Sequence, residues 1–268
     1  MALRTKEQYI AALSKMNKNL YCNGKLIDRL DEKQLGAINV MSRSYEMAQD
    51  PALAHLYVTK SHLTGETINR FCHIHQSTED LHKKQDMTRH LCNDVGTCCQ
   101  RCMGIDAANA VNNVSFEAQK RPAAKTTYYD NFLKWLKYFQ ENDLVASCAQ
   151  TDVKGERMNR PGQQTDPDQY VHVVEERADG IVVSGAKVHI SEASISDEII
   201  VVHVARSFIL CASMHSYSCY ATVRQMPTQF HCTLQIRKDT DFACDRNLYT
   251  LYQSSENLFS FFWLSEKC

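Results

Sequence analysis

Three cysteines fall within seven residues of the sequence, in the stretch GTCCQRC from Gly96 to Cys102. Cys98 and Cys102 are four residues apart, and on a helix this spacing places two side chains on one face, near enough to share a metal centre. Cys99 would lie about 100° around the helix from that face. Thiolates are soft ligands that select zinc, copper(I) or iron–sulfur clusters. The residues alone leave metal ligation and ordinary core packing of small apolar side chains both open.

A long helix is needed to position these thiols. Ser77 is a good N-cap, and two acidic residues follow it at the positive end of the helix dipole. The apolar residues that follow at helical spacing are Met87, Leu91, Val95, Cys98, Cys102 and Ile105. The sequence therefore predicts one continuous helix from Ser77 past Cys102, with Gly96 and Gly104 inside it at a cost of about 1 kcal/mol each. A regular helix does not favour a disulfide between residues at this spacing.

The remaining elements change type near residue 144. Helical spacing predicts helices at 5–16, 33–50 and 128–142, the first capped by Thr5. The last of these helices places Phe132, Leu136 and Phe139 on one side. Alternating β-branched residues predict strands at 144–153, 170–176, 180–190 and 197–205, with turns at Asn23-Gly24 and Asp179-Gly180. Helices followed by an antiparallel β unit define an α+β fold class.

Composition and charge exclude several classes of partner. The chain has 268 residues with 30 Lys and Arg against 31 Asp and Glu, so no overall field attracts nucleic acid or an anionic membrane. No stretch approaches the ~20 apolar residues of a membrane span, and the first residues lack the apolar run of a signal peptide. We therefore expect a cytoplasmic protein without nucleic-acid or membrane partners. Twelve cysteines are then more typical of metal or redox chemistry than of structural disulfides.

Three stretches resemble the 4-hydroxybutyryl-CoA dehydratase/vinylacetyl-CoA isomerase group: LTGETINRFCHIHQSTEDL at 63–81, GTCCQRCMGIDAANAV at 96–111, and the run from AQTDVKGE to GAKVHIS at 149–191. This group belongs to the 4-hydroxyphenylacetate 3-hydroxylase family, which shares the acyl-CoA dehydrogenase fold. The resemblance covers about residues 1–202. It implies an N-terminal α-helical domain at 1–143 and part of a flavin-binding β-domain at 144–202.

The resemblance gives the thiols a role. Members of the group hold a [4Fe–4S] cluster through two cysteines at C-x3-C on a helix, and through a histidine and a cysteine at H-x6-C in a C-terminal bundle. Cys98 and Cys102 match the first pair, whereas Cys99 is an extra packing residue. Gln100 matches a glutamine that lies near the substrate. This chain is therefore expected to supply two of the four cluster ligands.

Two further motifs imply contacts with FAD. AQTDVKGE stands where the family has a segment that touches the flavin ring and ribityl chain, and GAKVHIS stands where it has a strand whose last residues lie against the ring. The residues implied as FAD-binding are Ala149, Gln150, Thr151, Asp152, Lys154, Gly155, His189, Ile190 and Ser191. Without the resemblance, Thr151 would be an ordinary strand-end residue and His189 a half-buried strand position.

Two other stretches leave questions open. His73 and His75 would face one side of an extended segment as ligands, or would simply precede the helix capped by Ser77. After Val202 the sequence has no H-x6-C and no glycine. We therefore expect residues 203–268 to form a divergent tail without the C-terminal bundle, as a frame-shifted or truncated reading would produce.

The resemblance implies radical dehydration of 4-hydroxybutyryl-CoA to crotonyl-CoA with vinylacetyl-CoA isomerisation, the lyase and isomerase activity of anaerobic metabolism. The complete enzyme would use FAD and the cluster, bind an acyl-CoA and form a homotetramer, whereas this chain alone would be incomplete. One alternative is an FADH2-dependent aromatic 3-monooxygenase, which tends to carry M-G-R-x-P-D where this chain has Ile105 in place of the arginine. The other alternative is a non-enzymatic, thiol-rich fragment.

Overall fold

The computed structural model describes residues 3–99, 101–120, 127–177 and 180–202, together with three later strands. The helices among these residues are α1 (Lys6–Leu13), α2 (Leu35–Gln49), α3 (Ala54–Tyr57), α4 (Thr78–Val95), α5 (Arg101–Gln119) and α6 (Tyr128–Glu141). The strands are β1 (Leu20–Cys22), β2 (Lys25–Ile27), β3 (Val58–Lys60), β4 (Thr67–Asn69), β5 (Ala146–Ala149), β6 (His172–Arg177), β7 (Gly180–Val188), β8 (Glu198–Val201), β9 (Ala221–Arg224), β10 (Gln229–Cys232) and β11 (Ser260–Leu264). In this part of the chain, no helix combines the length and the apolar character that crossing a membrane requires.

The helix starts follow from local side-chain bonds, as the sequence predicts. Thr5 and Gln8 form a capping box at the start of α1. Ser77 and Asp80 form another at the start of α4, where the Ser77 hydroxyl accepts a hydrogen bond from the Asp80 backbone N–H at 3.2 Å. Each box pairs two backbone donors that a helix start leaves unsatisfied. The prediction of both helix starts is confirmed.

The predicted continuous helix through the thiols is wrong. α4 ends at Val95, and Gly96 adopts a left-handed conformation with φ of 69°. Glycine reaches this conformation without steric cost and commonly ends a helix. Cys98 therefore lies outside both helices and is exposed, whereas Cys99 is buried, and Gln100 lies outside the described residues. The second helix begins at Arg101.

The close approach of β5 explains why a glycine is present at position 104 of α5. A β-carbon at this position would come within 1.8 Å of the carbonyl oxygen of Ala146. The backbone of α5 therefore lies directly against β5, a closeness that only glycine permits. This contact fixes the first turns of α5 on the strand that leads into the predicted FAD segment.

The sheets correct the predicted antiparallel arrangement. β6 and β7 pair antiparallel as predicted, whereas β5 and β8 pair parallel, with Ala146 opposite Glu198. The residues between β5 and β8 are numerous enough to form the long crossover that parallel strands require. β8 also pairs with β9, and a six-stranded sheet has the order β2-β1-β10-β11-β7-β6. β1 and β2 form a hairpin through the predicted turn, in which Asn23 and Gly24 have φ of 50° and 77°.

The apolar core that supports the site lies between α5, α6 and the β5–β8 pair. Its side chains are buried on the α6 face that the sequence predicts. The fully buried members include Ile105, Ala108, Phe132, Leu136, Phe139, Ala146 and Ile200. The core therefore carries α5 and β5 as one packed unit.

Arg101 is buried in the centre of the helical region, with 1% of its side chain exposed. Its Nη2 donates to Asp143 Oδ1 at 2.5 Å and to the Leu144 carbonyl at 3.2 Å. The Tyr45 ring centre lies 4.4 Å from the guanidinium carbon. Burial alone would lower the pKa of Arg101, but Tyr45 and Asp143 raise it above its usual range. Arg101 is therefore a permanently charged anchor at the start of α5.

Asp143, the partner of Arg101, also forms hydrogen bonds with other segments of the chain. It accepts hydrogen bonds from the Arg4 backbone N–H and the Asn69 side-chain amide, each at 3.3 Å. Its carbonyl oxygen accepts from the Tyr45 hydroxyl at 2.9 Å. Asp143 adopts a φ of 46°, an uncommon value for a residue with a side chain. The chain turns here from α6 into β5, so the ion pair also sets where the strand begins.

We expect the Arg101→Met substitution to destabilise the fold strongly, because it leaves the Asp143 carboxylate buried without its partner. Loss of one member of a buried pair costs about 3–5 kcal/mol in free energy of unfolding. Urea unfolding of the full chain measures this change.

A matched control is Lys137→Met, which removes an exposed ion pair with Glu141 at 3.9 Å. Exposed pairs of this kind contribute about 0.3–0.5 kcal/mol. If both substitutions changed the free energy of unfolding equally, Arg101 would not be the anchor.

Candidate functional site

Cys98 lies at the centre of a cluster of thiols between α4 and α5. Its sulfur is 3.9 Å from the sulfur of Cys102, in the first turn of α5. Cys92, near the end of α4, also shares a hydrogen bond with Cys98. The shared hydrogen bond with Cys98, and then burial, raise the pKa of Cys102 above its usual range. The structure thus brings Cys98 and Cys102 together as predicted, but through a chain reversal rather than along one helix.

Cys99 has a different environment from its neighbours. Its side chain is 4% exposed and packs with Met87, Leu91 and Val95 of α4. Burial raises the pKa of Cys99 to about 12. A buried thiol of this kind is unreactive and serves as a small apolar side chain, which is the packing role that the sequence predicts.

The two predicted FAD segments lie side by side. The backbone N–H of Val188 donates to the carbonyl of Thr151 at 3.0 Å, and Asp152 pairs with Lys187 as an isolated antiparallel bridge. The end of β5 and the end of β7 therefore form one edge. The structure brings these two motifs together although they are distant in the sequence.

Lys187 holds this edge together and was not singled out from the sequence. Its side chain is 1% exposed. Its ammonium group donates to the Gln150 carbonyl at 3.1 Å, to Asp152 Oδ1 at 2.5 Å and to the Val202 carbonyl at 2.7 Å. All three ammonium protons are satisfied, so one side chain joins the ends of β5, β7 and β8. A lysine inside an alternating apolar strand is the signal that could have identified it.

The polar groups of this edge lie above an apolar floor. The buried residues are Ala149 and Ile190, and the exposed ones are Gln150, Thr151, Lys154, His189 and Ser191. His189 has a φ of 60°, and strained backbone of this kind costs about 1–3 kcal/mol and clusters at functional sites. Gly155 lies instead within a loop, packed against the side-chain ends of Gln164 and Gln169. The edge can present hydrogen-bond donors to the polar rim of a flat heterocycle.

Glu192 connects this edge to the thiols and was also missed in the sequence. It follows Ser191 directly and is 4% exposed, and its Oε2 atom has no hydrogen-bond partner among the described residues. Burial, and then the proximity of Cys98, raise the pKa of Glu192 well above its usual range. It also influences the pKa values of Cys99 and Cys148. The pKa of Glu192, at one end of this edge, therefore responds to Cys98.

A groove of about 930 Å³ opens between α4 and α5. Its wall includes His75, Lys84 and Asp106, and Lys84 Nζ lies 2.8 Å from Asp106. Asp106 is one helical turn beyond Cys102, so the groove reaches the neighbourhood of the thiols. His73 is buried instead and contacts Asp80 at 3.3 Å. Among the described residues, no group of three or more His, Cys, Asp or Glu side chains is arranged to hold a metal ion.

The family model described as 4-hydroxyphenylacetate 3-hydroxylase N terminal matches residues 5–261. The 4-hydroxybutyryl-CoA dehydratase/vinylacetyl-CoA-Delta-isomerase of Clostridium aminobutyricum is 48% identical over 189 residues, which are 70% of this chain and 38% of that protein. The oxygenase component of a Rhodococcus 4-nitrophenol 2-monooxygenase is 38% identical over 76 residues, or 28% of this chain and 14% of that one. The family match extends beyond Val202, where the resemblance noted in the sequence ends.

Solved structures share the fold over nearly the whole chain. An oxygen-tolerant archaeal 4-hydroxybutyryl-CoA dehydratase from N. maritimus has a TM-score of 0.82 and 28% identity, over 98% of this chain and 52% of that chain. The oxygenase component of 4-hydroxyphenylacetate 3-monooxygenase, complexed with FAD, has a TM-score of 0.72 and 20% identity, over 97% of this chain and 52% of that chain. The second likeness shows the fold alone. The chain spans about half of the length of these structures.

Burial of His73 predicts that acid destabilises the fold. Burial lowers the pKa of His73 below its ordinary 6.5, against the opposing contact with Asp80. The unfolded chain then binds more protons below pH 6.5, so this contribution to stability is present above that pH and is lost as pH falls through the folded value. We expect the free energy of unfolding, measured in urea, to fall as the pH is lowered below about 6.5.

The His73→Gln variant should show a flatter pH dependence, because it removes this proton uptake. The exposed His82 provides a control, since His82→Gln should keep the dependence of the parent chain. Identical pH profiles for the His73→Gln variant and the parent would contradict the assignment.

Proposed function

The chain belongs to the 4-hydroxyphenylacetate 3-hydroxylase N-terminal family, and on this premise we propose that it carries the N-terminal and middle parts of a 4-hydroxybutyryl-CoA dehydratase/vinylacetyl-CoA isomerase. The proposed reaction removes water from 4-hydroxybutyryl-CoA to give crotonyl-CoA. The observation that carries the proposal is the approach of the Cys98 and Cys102 sulfur atoms to 3.9 Å, in a pair at the C-x3-C spacing that the dehydratase group uses for its cluster. The 48% identity to the clostridial dehydratase supports it.

The residues of the edge fit a flavin. Thr151, His189 and Ser191 present polar groups at the surface, whereas Ile190 lies buried beneath them. FAD supplies one-electron redox chemistry when bound. The Ser191 hydroxyl would donate to the polar side of the ring, where donors stabilise added negative charge. Lys187 would hold the two segments at a fixed separation, so that the ring meets a preformed surface.

The thiol pair fits half of an iron–sulfur site. Cys98 and Cys102 would each provide one thiolate, and the exposed, irregular segment around Cys98 lets the pair adjust its spacing. A [4Fe–4S] cluster supplies a Lewis acid for the substrate hydroxyl when bound. Burial, and then Cys98, raise the pKa of Glu192 well above its usual range, so a negative charge at Cys98 would favour the protonated form of this carboxyl group. The other two ligands would come from outside the residues that the structure describes.

The groove between α4 and α5 is the proposed approach for the acyl-CoA. Lys84 places a positive charge in its wall, and Asp106 connects it to the helical face that carries Cys102. Gln100, which precedes Arg101, is proposed to contact the substrate by analogy with the family. A cytoplasmic location, anaerobic metabolism and a homotetramer are further parts of the proposal.

A second candidate is an FADH2-dependent aromatic 3-monooxygenase. The family match and the 38% identity to the oxygenase component of the Rhodococcus 4-nitrophenol 2-monooxygenase over 76 residues favour it. The Cys98–Cys102 pair and the presence of Ile105 in place of the arginine favour the dehydratase. The iron content of the purified chain separates these two candidates, and the absence of both flavin and iron would favour a non-enzymatic fragment.

We expect the Lys187→Met substitution to weaken FAD binding at least tenfold. The substitution removes the hydrogen bonds that join the two segments and leaves three oxygen acceptors without their donor. Titration of FAD into the full chain, followed by flavin fluorescence, measures the affinity. Lys134→Met, on the outer face of α6, should bind FAD like the parent chain. A folded Lys187→Met chain with unchanged affinity for FAD would show that the hydrogen bonds of Lys187 do not shape the flavin site.

The thiol assignment predicts iron binding under anaerobic reconstitution with iron and sulfide. The parent chain should bind iron and acid-labile sulfide, and Cys98→Ala or Cys102→Ala should abolish this binding. Cys99→Ala is the matched control and should retain it, since Cys99 faces the core. Iron that survives both single substitutions would place the cluster elsewhere, and flavin without iron in the parent chain would favour the monooxygenase.

A further inference from the structure

Cys98 and Cys102 have the geometry of a thiol pair that can join to each other. Their sulfur atoms are 3.9 Å apart, and a disulfide requires about 2.05 Å, so the atoms must approach by about 2 Å. A regular helix would resist this movement. Helix α4 ends at Val95, and Cys98 lies on the irregular segment before α5. This segment can therefore move while α5 stays anchored.

Accessibility assigns different roles to the two thiols. Cys98 is exposed, whereas Cys102 is 8% exposed and lies beneath it in the first turn of α5. An external oxidant therefore reaches Cys98 first, and Cys102 is placed to complete the bond. Cys99 is 4% exposed and points into the core, so it does not compete. Cys92, half-buried and hydrogen-bonded to Cys98, is the competing partner.

We propose that Cys98 and Cys102 form a reversible disulfide in the metal-free chain on exposure to a glutathione-type disulfide. The Cys98 thiolate attacks one sulfur of the oxidant, which breaks the oxidant's S–S bond and releases one glutathione thiolate. The Cys102 thiolate then attacks the Cys98 sulfur and releases the second glutathione. Two protein thiols are oxidised, one glutathione disulfide is reduced to two thiols, and the two protein protons pass to glutathione.

The disulfide would occupy the same two thiols that the proposed cluster requires. It would therefore protect the metal-free chain from further oxidation and would block cluster loading until a thiol reductant reopens it. The disulfide requires only the metal-free chain, so it does not depend on the proposed function. Its absence would leave the iron reconstitution result unchanged, and failure of reconstitution would not affect the disulfide.

The full chain, treated with a chelator, is equilibrated in mixtures of oxidised and reduced glutathione, and remaining thiols are alkylated. Trypsin digestion without reduction then separates residues 90–101, with Cys92, Cys98 and Cys99, from residues 102–120, with Cys102. A Cys98–Cys102 bond joins these two peptides, whereas a Cys92–Cys98 bond stays within the first. We expect the joined pair in at least tenfold excess over the internally bonded peptide, with release by reductant.

Fragment-ion mass spectrometry of the joined peptides identifies the bonded cysteine without any variant. Cys98→Ala should remove the joined pair, whereas Cys99→Ala and Cys92→Ala should keep it. The proposal is overturned by the absence of joined peptides, by a stable glutathione adduct on Cys98 alone, or by fragment ions that place the bond at Cys92 or Cys99.

Discussion

The buried ion pair between Arg101 and Asp143 fixes the start of α5 against the start of β5, and the candidate site depends on that placement. Arg101 immediately precedes Cys102, and Asp143 lies three residues before β5. The pair is buried and forms hydrogen bonds with several segments, including Asn69 and Leu144, so its geometry allows little movement. The contact of Gly104 with Ala146 extends the same constraint by one turn. A thiol in the first turn of α5 therefore keeps a fixed position relative to a strand that ends in the proposed FAD segment.

The opposite side of the site is held by a second buried charge. Lys187 joins the ends of three strands through three hydrogen bonds, and the exposed edge above it carries Thr151 and Ser191. Glu192 follows Ser191 at this edge, and burial, and then Cys98, raise its pKa well above the usual range. Buried charged or unpartnered polar groups cost free energy unless they are paired. Arg101 and Lys187 each form an ion pair. The Oε2 atom of Glu192 is one of several buried side-chain atoms, Arg101 Nε among them, that have no hydrogen-bond partner among the described residues.

The sequence predicts those structural features that depend on interactions between residues close together in the chain. The caps at Thr5 and Ser77, the Asn23-Gly24 turn and the buried face of α6 depend on residues within one or two turns, and the structure confirms them. The continuous helix through the thiols is wrong because a glycine is compatible both with a helix interior and with a left-handed end, and spacing alone does not separate these cases. The parallel pairing of β5 with β8 depends on a long crossover and has no local signal.

In the candidate site, too, the sequence predicts local features but not the contacts between distant residues. Spacing correctly predicts that Cys98 and Cys102 approach each other, but the approach comes from a chain reversal that also brings in Cys92. Lys187 and Glu192 acquire their roles from residues far along the chain, so no short motif identifies them. The two FAD segments were predicted from resemblance, and their contact through Thr151 and Val188 is a tertiary feature that periodicity does not contain.

Native-state hydrogen exchange tests the coupling of α5 to β5 most directly, because it gives an opening free energy for each backbone amide. If the ion pair joins these elements, the hydrogen-bonded amides of residues 105–108 in α5 and of residues 146–149 in β5 should open with the same free energy. Asp143→Asn should lower both by the same amount. Exchange of the α5 amides at a lower free energy than those of β5, unaffected by Asp143→Asn, would contradict the coupling.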